Sequence, residues 1–210
     1  MPLIKPVAFL VAALTAGALL AFGSLKTGAP TGWIGGVALV AWAFVARRRW
    51  TRLETTSGLE PGAPERILWL RFAGNSLILG HLVAAILLVQ DDLRLGNGNS
   101  LAVDSWTMVA AQFIAALAFH RDSKEKDERH DAISAHGIRA GYATLTICLI
   151  ALLGWLAYAP PPQSSALTHF VLANMLVIML LASYGVMLLV QLVDYARDLR
   201  HARQAEHQLP

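Results

Sequence analysis

Six stretches dominated by Leu, Ala, Val and Ile run along the chain at about 7–24, 33–47, 68–90, 103–120, 140–159 and 167–194, separated by short polar segments. Most fall within or near the roughly 17–25 residues that a helix needs to cross a hydrocarbon core. The pattern predicts an all-α polytopic bundle, six transmembrane helices arranged as three hairpins in one integral membrane domain. Residues 198–210 read as a polar tail.

Composition agrees with that reading. The 210 residues are 56% hydrophobic and only 15% charged, against about 25% charged in a soluble domain. The first apolar run resembles a signal peptide in having one preceding Lys and small residues at Ala16–Ala18, but it continues to Phe22 and a second apolar run follows closely. An uncleaved first span is the simpler reading.

Charge then orients the bundle. Of the 17 Lys and Arg residues, all but Lys26 and Arg94 fall on one side of a six-span arrangement. Short loops with this bias lie in the cytoplasm. Both termini are therefore expected inside, in a bacterial inner (plasma) membrane. The pI near 9.3 thus reflects membrane orientation, and nucleic acid is not an expected partner. Arg47, Arg48 and Arg49 beside Trp50 suit an anionic lipid surface. Trp33, Trp50, Trp69, Trp106 and Trp155 fall at expected boundaries as interfacial anchors, whereas Trp42 lies mid-span. Lys5, Arg71 and Arg139 each stand near the start of an outgoing span.

Candidate chemistry is sparse. Ionisable side chains deep in a membrane are costly and point to function, yet none of the Asp, Glu, Lys or Arg residues lies mid-span; Asp104 and Asp194 sit near span ends. His81 is the exception. With Asn75, Gln112, Asn174 and Tyr184 it forms a candidate intramembrane polar pocket. The simpler alternative is that His81 hydrogen-bonds Gln112 as interhelical glue, worth about 1 kcal/mol. The seven histidines include no pair three or four residues apart, the spacing that sets two on one helix face. No second mid-span histidine offers itself as a haem ligand. No metal, cofactor or catalytic constellation is therefore expected. Gly32/Gly36 and Gly137/Gly141 have the four-residue spacing that allows close helix approach, inside one chain or, alternatively, at a homodimer seam. Cys148 reads as a small buried apolar residue.

The most charged segment begins at Lys126. Asp127, Glu128, Arg129, Ile133, Arg139 and Tyr142 follow the order D-E-R-x-x-x-I-x-x-x-x-x-R-x-x-Y. This resembles a motif of small bacterial and archaeal membrane proteins grouped as a domain-of-unknown-function family, over about residues 120–197. The resemblance implies a cytoplasmic element ahead of a membrane hairpin and carries no activity. From the residues themselves, the acidic–arginine element is expected either to pair with Arg47–Arg49 or to dock a cytoplasmic regulatory protein, and Gly137 to break the helix before the fifth span. The leading functional expectation is a non-enzymatic sensor or regulatory module acting through its inner loops. The alternative is a small transporter or channel with a neutral pocket around His81, and a redox protein comes third.

Overall fold

The computed structural model describes residues 4–57, 62–88, 100–117, 119, 128–158, 160 and 169–206. They form six α-helices: α1 (Ile4–Thr27), α2 (Gly32–Ser57), α3 (Ala63–Leu88), α4 (Ser100–Leu117), α5 (Glu128–Tyr158) and α6 (His169–Glu206). Among the described residues there is no strand. Segments Ile4–Thr27, Ala63–Leu88, Arg129–Tyr158 and Val171–Arg200 are long and apolar enough to cross a membrane, and Val103–Leu117 is a shorter apolar helix. The apolar part of α2 ends at Arg47–Arg49. The apolar helices suggest a membrane-spanning protein.

α3 is the axle of the bundle. It packs on α1, α4 and α6, whereas α5 packs essentially on α6 alone. Burial follows: Phe72, Ser76 and His81 on α3 are fully enclosed, while Ile147, Ile150 and Leu153 on α5 lie exposed. Consecutive helices are mostly not each other's main partners. α1 lies parallel to α3 because Gly17 and Gly80 bring the backbones together. A Cβ on Gly17 would sit 2.1 Å from the Leu77 carbonyl oxygen, and one on Gly80 would sit 2.2 Å from that of Leu14. α2 lies parallel to α4 by the same device, with Gly32 against the Asp104 backbone and Gly36 against Ala111. Of the three expected hairpins, only α5–α6 packs closely along its length.

Local chemistry explains the turns and ends. Gly28 adopts φ of +66°, ending α1 in the left-handed conformation that glycine reaches without Cβ strain, and its N–H donates to the Ser24 carbonyl at 2.9 Å. The Thr31 hydroxyl donates to the Leu20 carbonyl at 2.7 Å. The start of α2 is capped from α4: Gly32 N–H donates to Asp104 Oδ1 at 2.5 Å, and Asp104 is fully buried. A carboxylate there satisfies a free N–H and faces the positive end of the helix dipole.

Several boundaries differ from expectation. α2 stays helical through the Arg cluster, and α5 begins at Glu128 and runs unbroken through Gly137. Gly137 does not break α5 because its missing side chain is filled by α6, where Gln191 and the Met187 carbonyl occupy the space. The start of the acidic–arginine segment, residues 120–127, lies outside the described residues. Trp50 and Trp69 do more than anchor. With Trp42, Phe9, Phe72 and Phe119 they make a continuous aromatic cluster, ring centroids 5.5–6.4 Å apart, at the end of the bundle that carries the Arg cluster. This is called the basic end below. Trp33, Trp106 and Trp155 point outward.

Candidate functional site

A cavity of about 760 Å³ lies between α3, α4 and α6, within the roughly 300–1,000 Å³ typical of ligand sites. α3 forms its floor through Arg71, Asn75, Ile78, Leu82 and Ala85. Their spacing of four, three, four and three places them on one helix face. α4 supplies Ser105, Trp106, Val109, Gln112, Phe113 and Ala116, and α6 supplies Asn174, Val177, Leu181 and Tyr184. α4 and α6 both pack on α3 but barely touch each other. Trp106, Phe113 and Val177, at 66%, 73% and 43% exposure, form the rims of the gap, so the cavity opens sideways through the wall of the bundle.

Two glycines make room for the amides in this cavity. A Cβ on Gly74 would lie 2.6 Å from the Gln112 side-chain carbon, and one on Gly185 would lie 3.0 Å from Asn75 Nδ2. Gln112 therefore lies across α3, and Asn75 Nδ2 donates to the Leu181 carbonyl at 3.0 Å, tying α3 to α6. Asn75 Oδ1 is buried and has no hydrogen-bond partner among the described residues. A buried amide oxygen left unpaired costs free energy.

Four of the five residues expected to form a polar pocket, Asn75, Gln112, Asn174 and Tyr184, line this one cavity. His81 does not. It is fully buried where α3 meets α1, its backbone nitrogen beside Gly17. The expected His81–Gln112 pair is thus replaced by Gln112 seated over Gly74, because Gln112 lies nearly two turns nearer the basic end. Sequence reasoning missed Arg71, which it took as an orienting charge near the start of the third span. The signal was present in the Arg71–Asn75–Ile78–Leu82 stripe. Among the described residues the lining holds a guanidinium, amides and hydroxyls, and no carboxylate, histidine or thiol. Such a set recognises a ligand by hydrogen bonding and charge. Among the described residues no group of three or more His, Cys, Asp or Glu is arranged to hold a metal ion.

A second polar site lies at the basic end, between α5 and α6. Arg129 Nε donates to Asp198 Oδ2 at 2.8 Å, and its guanidinium lies 6.0 Å from the Tyr195 ring centroid. His130 Nδ1 and Tyr195 Oη are 2.6 Å apart. His136 Nδ1 meets Asp194 Oδ2, which Arg197 also approaches at 3.6 Å through the other carboxylate oxygen. Arg129 therefore pairs with the α6 carboxylate that faces it; the contact expected between the acidic–arginine element and Arg47–Arg49 turns on Asp127 and Glu128, whose side chains lie outside the described residues. Asp127 lies outside the described residues, and Glu128 opens the helix. Ile133 is buried, Arg139 is exposed, and Tyr142 is 72% exposed. Gly141 abuts Met187 and the Ser183 carbonyl, and the Ser183 hydroxyl donates to the Gly141 carbonyl at 2.7 Å. Gly32, Gly36, Gly137 and Gly141 all face another helix of the same chain. Cys148 is half-buried on α5.

No family model, curated protein or solved structure matches this chain.

Proposed function

We propose that this chain is a six-span membrane protein with both termini on the cytoplasmic side of the plasma membrane, and that its working site is the sideways-opening cavity, which binds a small amphiphilic molecule from the bilayer. This makes it a binding or transport module. The observation that carries the reading is the convergence of Asn75, Gln112, Asn174 and Tyr184, from three helices, on one largely apolar cavity of about 760 Å³. Apolar pockets with a few placed polar groups are the usual form of a small-molecule site. The charge bias, with only Lys26 and Arg94 on the far side, supports the orientation.

The test fills the cavity. Ala116 lines it and is exposed, so Ala116→Trp occupies the gap without disturbing buried packing. Native mass spectrometry of protein released from membranes is expected to find a small molecule retained by the parent chain and lost from the variant. Equal retention by both sinks the proposal.

A regulatory role through the inner loops keeps one specific support. α6 has 38 residues, about 57 Å at 1.5 Å per residue, longer than the roughly 40–45 Å of a whole bilayer. With α5 it extends the bundle at the basic end as a polar two-helix stalk. A photo-crosslinker at exposed Asp131 that captures one specific cytoplasmic protein supports this second reading.

A further inference from the structure

We propose that the cavity seats one anionic phospholipid drawn from the leaflet at the basic end, its phosphate held by Arg71 and one acyl chain lying along α3. The proposal rests on the reading of the cavity as a binding site and adds the chemical class of its occupant.

Among the described residues, Arg71 is the one charged side chain in the lining. It is exposed, and no carboxylate among the described residues pairs with it; Arg129 and Arg197, by contrast, have Asp198 and Asp194. A guanidinium at the mouth of an otherwise apolar groove suits a phosphate, which it binds through two parallel hydrogen bonds. Among the described residues no acidic group lines the cavity to repel an anion. Arg47, Arg48 and Arg49 on α2 add positive potential at the same end, and a cytoplasmic leaflet is rich in anionic lipid.

The dimensions fit a lipid better than a free anion. Arg71 and Ala85 are about 21 Å apart along the helix axis, one leaflet's share of the hydrocarbon core, about 15 Å, plus about 6 Å that reaches into the headgroup region. A headgroup at Arg71 therefore sends its chain past Ile78 and Leu82, between Val109 and Leu181, to end near Ala85. The gap between α4 and α6 leaves the second chain in the bilayer. A free phosphate would satisfy Arg71 and leave the apolar length of the groove unfilled.

The experiment reconstitutes the full chain into vesicles of phosphatidylcholine and phosphatidylglycerol in equal parts, and counts retained lipids by native mass spectrometry. The parent protein is expected to retain phosphatidylglycerol about tenfold over phosphatidylcholine, because both carry the phosphate but the choline cation of the second opposes the Arg71 guanidinium; tenfold is the size of one charge-assisted contact. Arg71→Gln is expected to bring that ratio near one while total lipid is unchanged, and Arg71→Lys to keep most of the preference. Ala116→Trp is expected to release both lipids. If Ala116→Trp empties the groove but Arg71→Gln keeps the preference, the headgroup assignment is overturned and the binding site stands. If Ala116→Trp retains as much lipid as the parent, the site itself fails. A parent ratio near one, or a lipid-free dimer, also overturns the proposal, and these two results need no variant to fold.

Discussion

Replacing Gly17 by Ala tests how α1 is held. The added Cβ would lie 2.1 Å from the Leu77 carbonyl oxygen and 2.7 Å from the His81 nitrogen, whereas ordinary contact begins at 3.4 Å. Both neighbours are backbone, so neither can rotate away, and α1 must retreat from α3 by more than an ångström. A gap of about 0.5–1 Å already forfeits a quarter to a half of each dispersion contact. In lipid there is little hydrophobic drive to compensate, because helix association rests on packing and hydrogen bonds. Overpacking a tight site typically costs about 1–3 kcal/mol, and the backbone-on-backbone geometry places Gly17→Ala near the top of that range. The assay is reversible unfolding in mixed micelles of rising dodecyl sulfate fraction, followed by far-ultraviolet circular dichroism. Gly154→Ala is the control, since no atom of another helix lies within 4 Å of its Cβ position; it should unfold like the parent or slightly later. Gly17→Ala unfolding together with Gly154→Ala would refute the close α1–α3 approach.

Further outcomes follow from particular contacts. Asp104→Ala removes the charged cap of α2 and is expected to cost about 1.5–3 kcal/mol in the same titration, with Asp104→Asn, which keeps an acceptor, costing less. Arg129→Ala is expected to change stability by less than about 1 kcal/mol, because the Arg129–Asp198 pair is 49% and 43% exposed; a larger loss would show that the stalk depends on that pair. In a Cys148→Ala background, Ala29→Cys is expected to react with an impermeant maleimide in intact cells, and Thr51→Cys only after lysis. The reverse pattern overturns the orientation.

The candidate site was half legible in the chain. Asn75, Gln112, Asn174 and Tyr184 stand out because polar side chains in apolar runs are costly to leave unpaired, and all four meet in one cavity. His81 drew attention for the same reason, yet it lies off the cavity, since depth along a helix does not tell which neighbour a face meets. Arg71 went unrecognised because an arginine near a span end reads as a topological charge. Its place in the cavity lining depends on the gap between α4 and α6, and nothing in the sequence marks that gap.

The linear pattern determined that the chain is helical and apolar over most of its length, and roughly where its long apolar helices lie. These are properties of local composition and period, and each helix satisfies its own backbone hydrogen bonds. Tertiary structure alone decided which helices touch. The pairing of α1 with α3 and of α2 with α4 turns on Gly17, Gly80, Gly32 and Gly36, whose missing side chains become contacts only when another backbone arrives. It also decided that α4 and α6 would share α3 while barely touching each other. Apolar helix faces are nearly interchangeable to the eye, and fit at the scale of single atoms, which composition does not encode, selects among them.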